Sequence, residues 1–313
     1  MALSSLLPKA KSDLLWEMGA RAFRIKETMT RMLPSGRGQV VSESENQESR
    51  RAKVVAIANQ KGGVGKTTTA INLASCVAEA GQRVLLIDMD PQGNSSSGVG
   101  FERELCEFSI YHALTGERPL DDIVYATDWD NLLLVPSTTD LAGAEIELVD
   151  QERREFVLDE VISKMEREFD FVILDCPPSL GLITINALVA ADTVLVPIQT
   201  EYYALEGLGH LLHTISLIHE HLNPKLAIEG ILLTMYDART NLSSQVADEV
   251  VEHFGDLVFE TVIPRNVKLS EAPSFGQPIA AYASNSTGSK SYRDFASEFL
   301  ARNGLVSEAA ASA

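Results

Sequence analysis

The chain of 313 residues is short of cysteine, tryptophan, positive charge and long apolar runs. Each shortage removes a class of protein. Three cysteines, Cys76, Cys106 and Cys176, are too few and too scattered for a disulfide framework or a CxxC metal site. Such sparse cysteine suits a reducing compartment. No stretch approaches the ~18 consecutive apolar residues that a bilayer-spanning helix requires. With 26 Lys+Arg against 44 Asp+Glu, the formal charge of -18 argues, as a whole-chain average, against nucleic acid as a partner. What is present is ordinary globular material: 45% hydrophobic and 22% charged residues exclude wholesale disorder.

The average conceals an uneven distribution. Residues 1–53 carry ten Lys/Arg and six Asp/Glu, which leaves -22 on residues 54–313. Residues 12–33 suit a helix with Leu14, Leu15, Met18, Phe23 and Ile25 partly clustered; Pro34, Ser35 and Gly36 end it, and a polar linker follows over 39–51. Residues 1–52 therefore read as an N-terminal extension, disordered or partly helical, with an amphipathic membrane- or partner-binding helix as the sharper alternative. Asp13 and Glu17 interrupt any apolar core of a secretory signal.

From Lys53 onward, short apolar runs alternate with helical stretches. The runs at 54–58, 84–88, 132–136, 171–175, 194–198, 228–234 and 258–263 suit strands buried on both faces of a parallel sheet. Stretches 66–80, 153–168, 183–190, 205–221, 242–253 and 292–302 fit helices. This alternation predicts an α/β fold, a doubly wound and mostly parallel sheet with right-handed crossovers. One domain over 53–304, with a tail over 305–313, accounts for the remaining length. His210, His213, His219 and His221 share the 205–221 helix without an acidic pattern to close a metal site, and read as surface or packing residues.

The most informative stretch follows the first apolar run: Asn59-Gln60-Lys61-Gly62-Gly63-Val64-Gly65-Lys66-Thr67-Thr68. Glycine lets the backbone turn tightly enough for successive N–H groups to face phosphate oxygens. The helix beginning near Lys66 adds the positive end of its dipole. In this pattern Lys66 reaches the β- and γ-phosphates and the Thr67 hydroxyl binds Mg²⁺, within a cradle formed by Gly62, Gly63, Val64, Gly65 and Thr68. The strict GxxxxGK[ST] pattern fails at its first glycine, where Gln60 stands, and a second lysine, Lys61, opens the loop instead.

Two apolar runs end in acids: Asp88, with Asp90 two residues on, and Asp175. Ligands of open α/β sheets sit beyond the carboxyl ends of the strands, where these three carboxylates gather. Mg²⁺ takes oxygen ligands and keeps several waters, so Thr67 and one carboxylate acting through water suffice. A second carboxylate is then left to orient an attacking water. Taken singly, each aspartate also reads as a helix N-cap or a strand-end turn.

KGGVGKT, then LLIDMDPQGNSSSG, then LDCPPSLG resemble the deviant Walker A ATPases. The segments YYALEG at 202–207, TMYDARTNL at 234–242 and IPRNVKLSEAPS at 263–274 resemble, within them, the ParA/Soj family of chromosome- and plasmid-partitioning proteins. The likeness covers residues 53 to 302 and leaves out 1–50. It implies a cytoplasmic, nucleoid-associated Mg²⁺-ATPase in DNA segregation. Such a protein forms a homodimer with ATP and holds DNA without sequence preference. A ParB-like centromere-binding partner stimulates the hydrolysis that resets it. By the same resemblance Lys61 crosses to the other subunit's phosphates, and Asp90 positions or activates the water. Asp88 lies beside it in the first switch region and counts with Thr67 and Asp175 among the candidate metal residues, and Asp175 holds Mg²⁺ through water. Pro264 and Asn266 line the adenine, while Arg239 and Lys268, with Arg265 as an addition, meet DNA. A few cations doubled by dimerisation suffice for such contacts, so net charge bounds their strength without deciding their existence.

The nearest alternative is a MinD-like membrane-associated positioning ATPase. Residues 299–313 are too short and too weakly basic for its amphipathic helix, so no membrane is expected. An electron-transfer ATPase would need two cysteines to bridge a cluster, and Cys106 and Cys176 suit that poorly.

Overall fold

Six of the seven apolar runs become strands whose two faces are almost entirely covered. The structure is a computed structural model and describes residues 51–201 and 204–305. Its strands are β1 (Lys53–Ile57), β2 (Val84–Asp88), β3 (Tyr125–Ala126), β4 (Leu132–Val135), β5 (Phe171–Asp175), β6 (Thr193–Gln199) and β7 (Ala227–Thr234). They form one sheet in the order β3-β4-β2-β5-β1-β6-β7. Every pairing is parallel except that of the short edge strand β3 with β4.

Alternation along the strands splits the core into two layers. Val54, Ala56, Leu85, Ile87, Val172 and Leu174 face one of them. Val55, Ile57, Val84, Leu86, Phe171 and Ile173 face the other. The helices, in chain order, begin with α1 (Lys66–Glu79), α2 (Asn94–Gly98), α3 (Ile110–Leu114), α4 (Leu141–Glu147) and α5 (Val157–Ser163). They continue with α6 (Leu182–Ala190), α7 (Ala204–His221), α8 (Asn241–Phe254), α9 (Val267–Glu271), α10 (Ile279–Tyr282) and α11 (Thr287–Arg302). Helices α3 to α8 bury residues such as Ile110, Leu158, Ile183, Leu208 and Val246 in the first layer. Helices α1, α9, α10 and α11 bury Ile71, Leu269, Ile279 and Phe295 in the second. The sheet is doubly wound, as the alternation predicts.

Two local expectations are corrected and one strand is new. The run 258–263 forms no strand: isolated bridges, Ile231 to Val258 and Tyr236 to Pro264, and backbone hydrogen bonds such as Ile263 N–H to the Leu233 carbonyl at 2.9 Å tie it to β7 and its end without a continuous ladder. The helix expected over 153–168 shrinks to a 3₁₀ turn, Arg154–Phe156, followed by α5. Arg153 takes a left-handed φ of 58°, and the Asp121 carboxylate captures the Glu166 and Arg167 N–H groups, so the backbone is diverted at both ends. β3 is too short for periodicity to announce.

The expected helix over 12–33, the linker before residue 51, Tyr202, Tyr203 and the tail beyond 305 lie outside the described residues. Among the described residues no helix is long and apolar enough to cross a membrane.

The topology sets the site. The chain leaves β1 for β2 and β4, then returns to lay β5 between β2 and β1. Asp175 is thereby paired with Ile57 on one side and Asp88 on the other. This is the switch point where doubly wound sheets place their ligands.

Candidate functional site

The phosphate-type loop is pinned at both shoulders. Asn59 donates from Nδ2 to the Pro197 carbonyl at 2.8 Å and accepts the Lys61 N–H at 3.0 Å. Thr234 Oγ1 lies 2.8 Å from the Val64 carbonyl and 3.0 Å from that of Ile198. The loop is thus tied to the carboxyl ends of β6 and β7. Gly63 and Gly65 have φ of 75° and 91°, a region that L side chains rarely adopt, so the turn depends on glycine there. Gly62 and Gly63 are exposed, and a side-chain carbon on either would meet nothing within 4 Å. The first turn of α1 carries no acidic side chain to compete for its N–H groups.

The two lysines diverge. Lys66 is buried, with Nζ 3.3 Å from the Lys61 carbonyl. Burial lowers its pKa, opposed first by the negative charge of Asp175 and more weakly by Asp90. Lys61 points toward the end of β6 instead, where its Nζ meets Glu201 Oε2 at 3.1 Å, with both side chains partly exposed.

The carboxylates differ in how they are satisfied. Asp88 is fully buried; its Oδ2 accepts from the Ser96 N–H and hydroxyl, both at 2.8 Å, and its Oδ1 from the Asp90 N–H at 3.1 Å. Asp175 is equally buried, and its Oδ2 accepts from the Ser95 hydroxyl at 2.5 Å. Its Oδ1, also buried, has no hydrogen-bond partner. Burial pushes both acids above the ordinary carboxylate range, and for Asp175 the charge of Asp88 adds to the push. The Ser95 and Thr67 hydroxyls pull Asp175 partly back. Asp90 is half-buried, and its Oδ1 holds the Gln92 N–H at 2.9 Å.

An orphaned buried carboxylate oxygen, with the Thr67 hydroxyl acting on the same acid, is the donor set a hard divalent cation takes. Asp88 is different in kind, since three donors already occupy it. The site therefore brings together Lys66, Thr67, Asp90 and Asp175, with Asp88 holding the turn into α2.

The remaining residues singled out by sequence lie elsewhere. Arg239 follows β7 and forms a two-pronged pair with Asp237, at 2.8 and 2.7 Å. Arg265 is exposed, and its charge also acts on Asp237. Lys268 pairs with Glu271 at 2.8 Å. Pro264 bridges to Tyr236, while Asn266 caps α9 by accepting the Lys268 N–H at 2.8 Å and donates to the Thr287 hydroxyl at 2.7 Å. Thr68 offers its carbonyl to Asn72 Nδ2.

Sequence reasoning passed over Asn59, Ser95, Ser96, Glu201 and Thr234 as individual participants. Asn59 follows the end of β1 and the serines open the short Gly- and Asn-flanked helix α2, places where a polar side chain is the signal for a backbone anchor. Glu201 gave no such signal, because its role comes from the pairing of distant strands.

With that geometry in hand, comparison with known proteins is specific. A family profile described as an AAA domain matches residues 52–228. The Myxococcus xanthus protein named chromosome partitioning protein ParA is 53% identical over 251 residues, which span 80% of this chain and 89% of that one. The Bacillus subtilis protein named sporulation initiation inhibitor protein Soj is 55% identical over 252 residues, 80% of this chain and 99% of its own. Among solved structures, a Mycobacterium smegmatis protein described as cobyrinic acid a,c-diamide synthase, with bound ADP and magnesium, superposes with a TM-score of 0.68. It is 39% identical and covers 78% of this chain and 92% of that one. On the identity and span of these matches, the chain belongs to the ParA/Soj family of chromosome-partitioning ATPases.

Proposed function

We propose that this chain is an ATP-driven DNA-segregation switch. It dimerises with Mg²⁺–ATP, holds DNA without sequence preference, and is reset by hydrolysis that a ParB-like partner accelerates. The observation that carries the reading is the orphaned Asp175 Oδ1, on an acid that the Thr67 hydroxyl acts on and whose charge Lys66 feels, a donor set that suits a metal-bound polyphosphate. Bound there, Mg²⁺ would neutralise charge on the phosphates as they separate.

The chain's own residues supply the rest. The N–H groups of the loop and of the start of α1 bind phosphate oxygens, and Lys66 adds a fixed cation. Thr67 and Asp175 would hold the metal. Asp90, with one carboxylate oxygen engaged by Gln92, turns the other toward the water that attacks. Lys61 is displaced from Glu201 to reach across a dimer interface, and the open space around Gly62 and Gly63 supports a close approach of two loops. A cation available only in the dimer ties turnover to assembly. The Asp88–Ser96 and Asp175–Ser95 bonds connect both carboxylates to α2, so loss of the γ-phosphate has a direct route to this segment. Arg239, Lys268 and Arg265 supply the phosphate contacts for DNA, and Pro264 and Asn266 the adenine side of the site.

The test is retention of random-sequence duplex DNA by purified protein with ATP, with ADP and without nucleotide, at two salt concentrations. Retention with ATP alone, weakening steeply with salt, is the expected result. Equal retention in all three states, or none in any, rejects the switch.

A further inference from the structure

We infer that Asp237 and Glu271 are built-in competitors for DNA phosphate, each holding a cation this surface would offer to a duplex, so that DNA binding is an ion-pair exchange. The inference rests on the DNA reading above and adds two acidic residues that set its affinity.

The contacts are those of a phosphate site already filled. Arg239 places Nε and Nη2 on the two Asp237 oxygens at 2.8 and 2.7 Å, the fork geometry in which arginine also takes phosphate. The pairing is fixed, not incidental. The Arg239 N–H donates to Asp237 Oδ1 at 3.1 Å, and the Asp237 N–H donates to the Ser243 hydroxyl at 3.1 Å. The Thr240 hydroxyl closes on the Asp237 carbonyl at 3.0 Å. Yet the Arg239 side chain is 86% exposed, so a phosphate could approach it from solvent.

Lys268 repeats the arrangement. Its Nζ meets Glu271 Oε2 at 2.8 Å, and the Tyr282 hydroxyl donates to that same oxygen at 3.0 Å. Glu271 is thereby held in place with a second donor that remains when the lysine leaves. Arg265 is the exception: no ion pair to its exposed guanidinium occurs among the described residues.

Three cations and two carboxylates leave a single net positive charge in this group. Lys268 and Glu271 are both open to solvent, and Arg239 is open although Asp237 is only 18% exposed, so each cation can leave its carboxylate for a phosphate arriving from solvent. A DNA phosphate array exceeds one carboxylate in charge density, and the acidic remainder of the chain does nothing to help it. Arginine and its own backbone N–H hold Asp237 down to about 2, so the competitor stays ionised at any working pH. Release must come from competition, not from titration.

Asp237→Asn keeps the Oδ1 acceptor for the Arg239 N–H and removes only the charge. Glu271→Gln likewise keeps the acceptor for Tyr282. The experiment compares wild type, each single variant and the double variant for binding of a labelled random-sequence duplex with ATP across a salt series. At ~0.1 M monovalent salt each neutralised carboxylate should tighten binding about five- to ten-fold, and steepen the slope of log K against log salt by about 0.9 per subunit. Thermal unfolding of each variant reports whether the loop survives, and Glu271→Gln lies on a helix surface apart from that loop.

Wild-type retention with unchanged affinity and slope in folded variants overturns the exchange and leaves the DNA switch standing. Retention by none of the proteins removes the DNA reading and this inference with it. Retention by the variants alone shows that the carboxylates mask the face, and supports the inference.

Discussion

Asp88 and Asp175 stand in register at the carboxyl ends of β2 and β5, adjacent, fully buried and unequally satisfied. Both folded-state pKa values lie above the ordinary 3.8, chiefly through burial. A raised carboxylate makes its full contribution to stability below the unfolded pKa and loses it as pH rises through the folded one. The nucleotide-free protein should therefore lose stability, through this pair, as pH climbs from the ordinary Asp range toward neutrality. Asp175→Asn removes one charge and relieves Asp88 as well. Its unfolding temperature should gain progressively on wild type between about pH 4 and 7 and keep that gain above it. Mg²⁺ with nucleotide should stabilise wild type and not the variant. Parallel melting profiles for the two nucleotide-free proteins would reject this account.

Lys66 is a buried ammonium whose burial disfavours its charge. Lys66→Met conserves the stem and removes the desolvated group, so the nucleotide-free fold should be unchanged or slightly steadier. Binding of a fluorescent ATP analogue should fall by at least about a hundred-fold, given that hydrogen bonds to charged groups are worth ~1.5–3 kcal/mol and the phosphates also lose a counter-charge. A variant that binds ATP normally would show that the loop backbone alone holds the phosphates.

Much of this was legible in the sequence, and the reasons it stopped are physical. β1, β2 and β5 are apolar apart from Lys53, Asp88 and Asp175 at their ends because both faces are covered, so composition alone announces them. GGVGKT followed by a helix is legible because few chemistries need glycines and a lysine at that spacing. The inequality between Asp88 and Asp175 is not legible, since both close apolar runs. Only Ser95 and Ser96, placed by the turn into α2, decide which oxygen is left without a donor. The segment 258–263 is apolar enough to pass for a strand. It packs beside β7 without forming a ladder, a distinction made by backbone geometry and not by side-chain pattern.

Gly230 supplies a test of the core. A side-chain carbon there would sit within 2.9 Å of two Phe259 ring carbons. Phe259 cannot readily yield: it is buried, packs edge-on against Phe295 at 4.8 Å, and carries the Arg302 guanidinium 3.9 Å over its ring. Gly230→Ala should cost about 1–3 kcal/mol, read by denaturant or thermal unfolding. An unchanged midpoint would mean that the segment after α8 moves more freely than its packing indicates.

Replacing Arg239 and Lys268 together by glutamate should abolish DNA retention while leaving ATP-dependent dimerisation intact. Both side chains are largely exposed and far along the chain from the loop at 59–68, so the fold has little stake in them. Each substitution also sets a new carboxylate beside an existing one, Asp237 or Glu271, and so repels phosphate in addition to removing a contact. DNA retention by a folded double variant would move the DNA surface elsewhere on the molecule.

Lys61 separates two roles that a phosphate loop usually combines. Its pair with Glu201 joins side chains that are 36% and 46% exposed, so it contributes no more than about 1 kcal/mol to the fold. Glu201→Gln should accordingly leave the unfolding temperature close to wild type. Lys61→Ala should also leave the monomer folded and able to bind ATP, because Lys66 and the loop N–H groups remain. What it should lose is ATP-dependent dimer formation or turnover, measured by sedimentation and phosphate release. A cation that acts across the interface is missed only once two subunits meet. If dimer and turnover persist without Lys61, the loop works within a single subunit, and the open approach beside Gly62 and Gly63 serves some other contact.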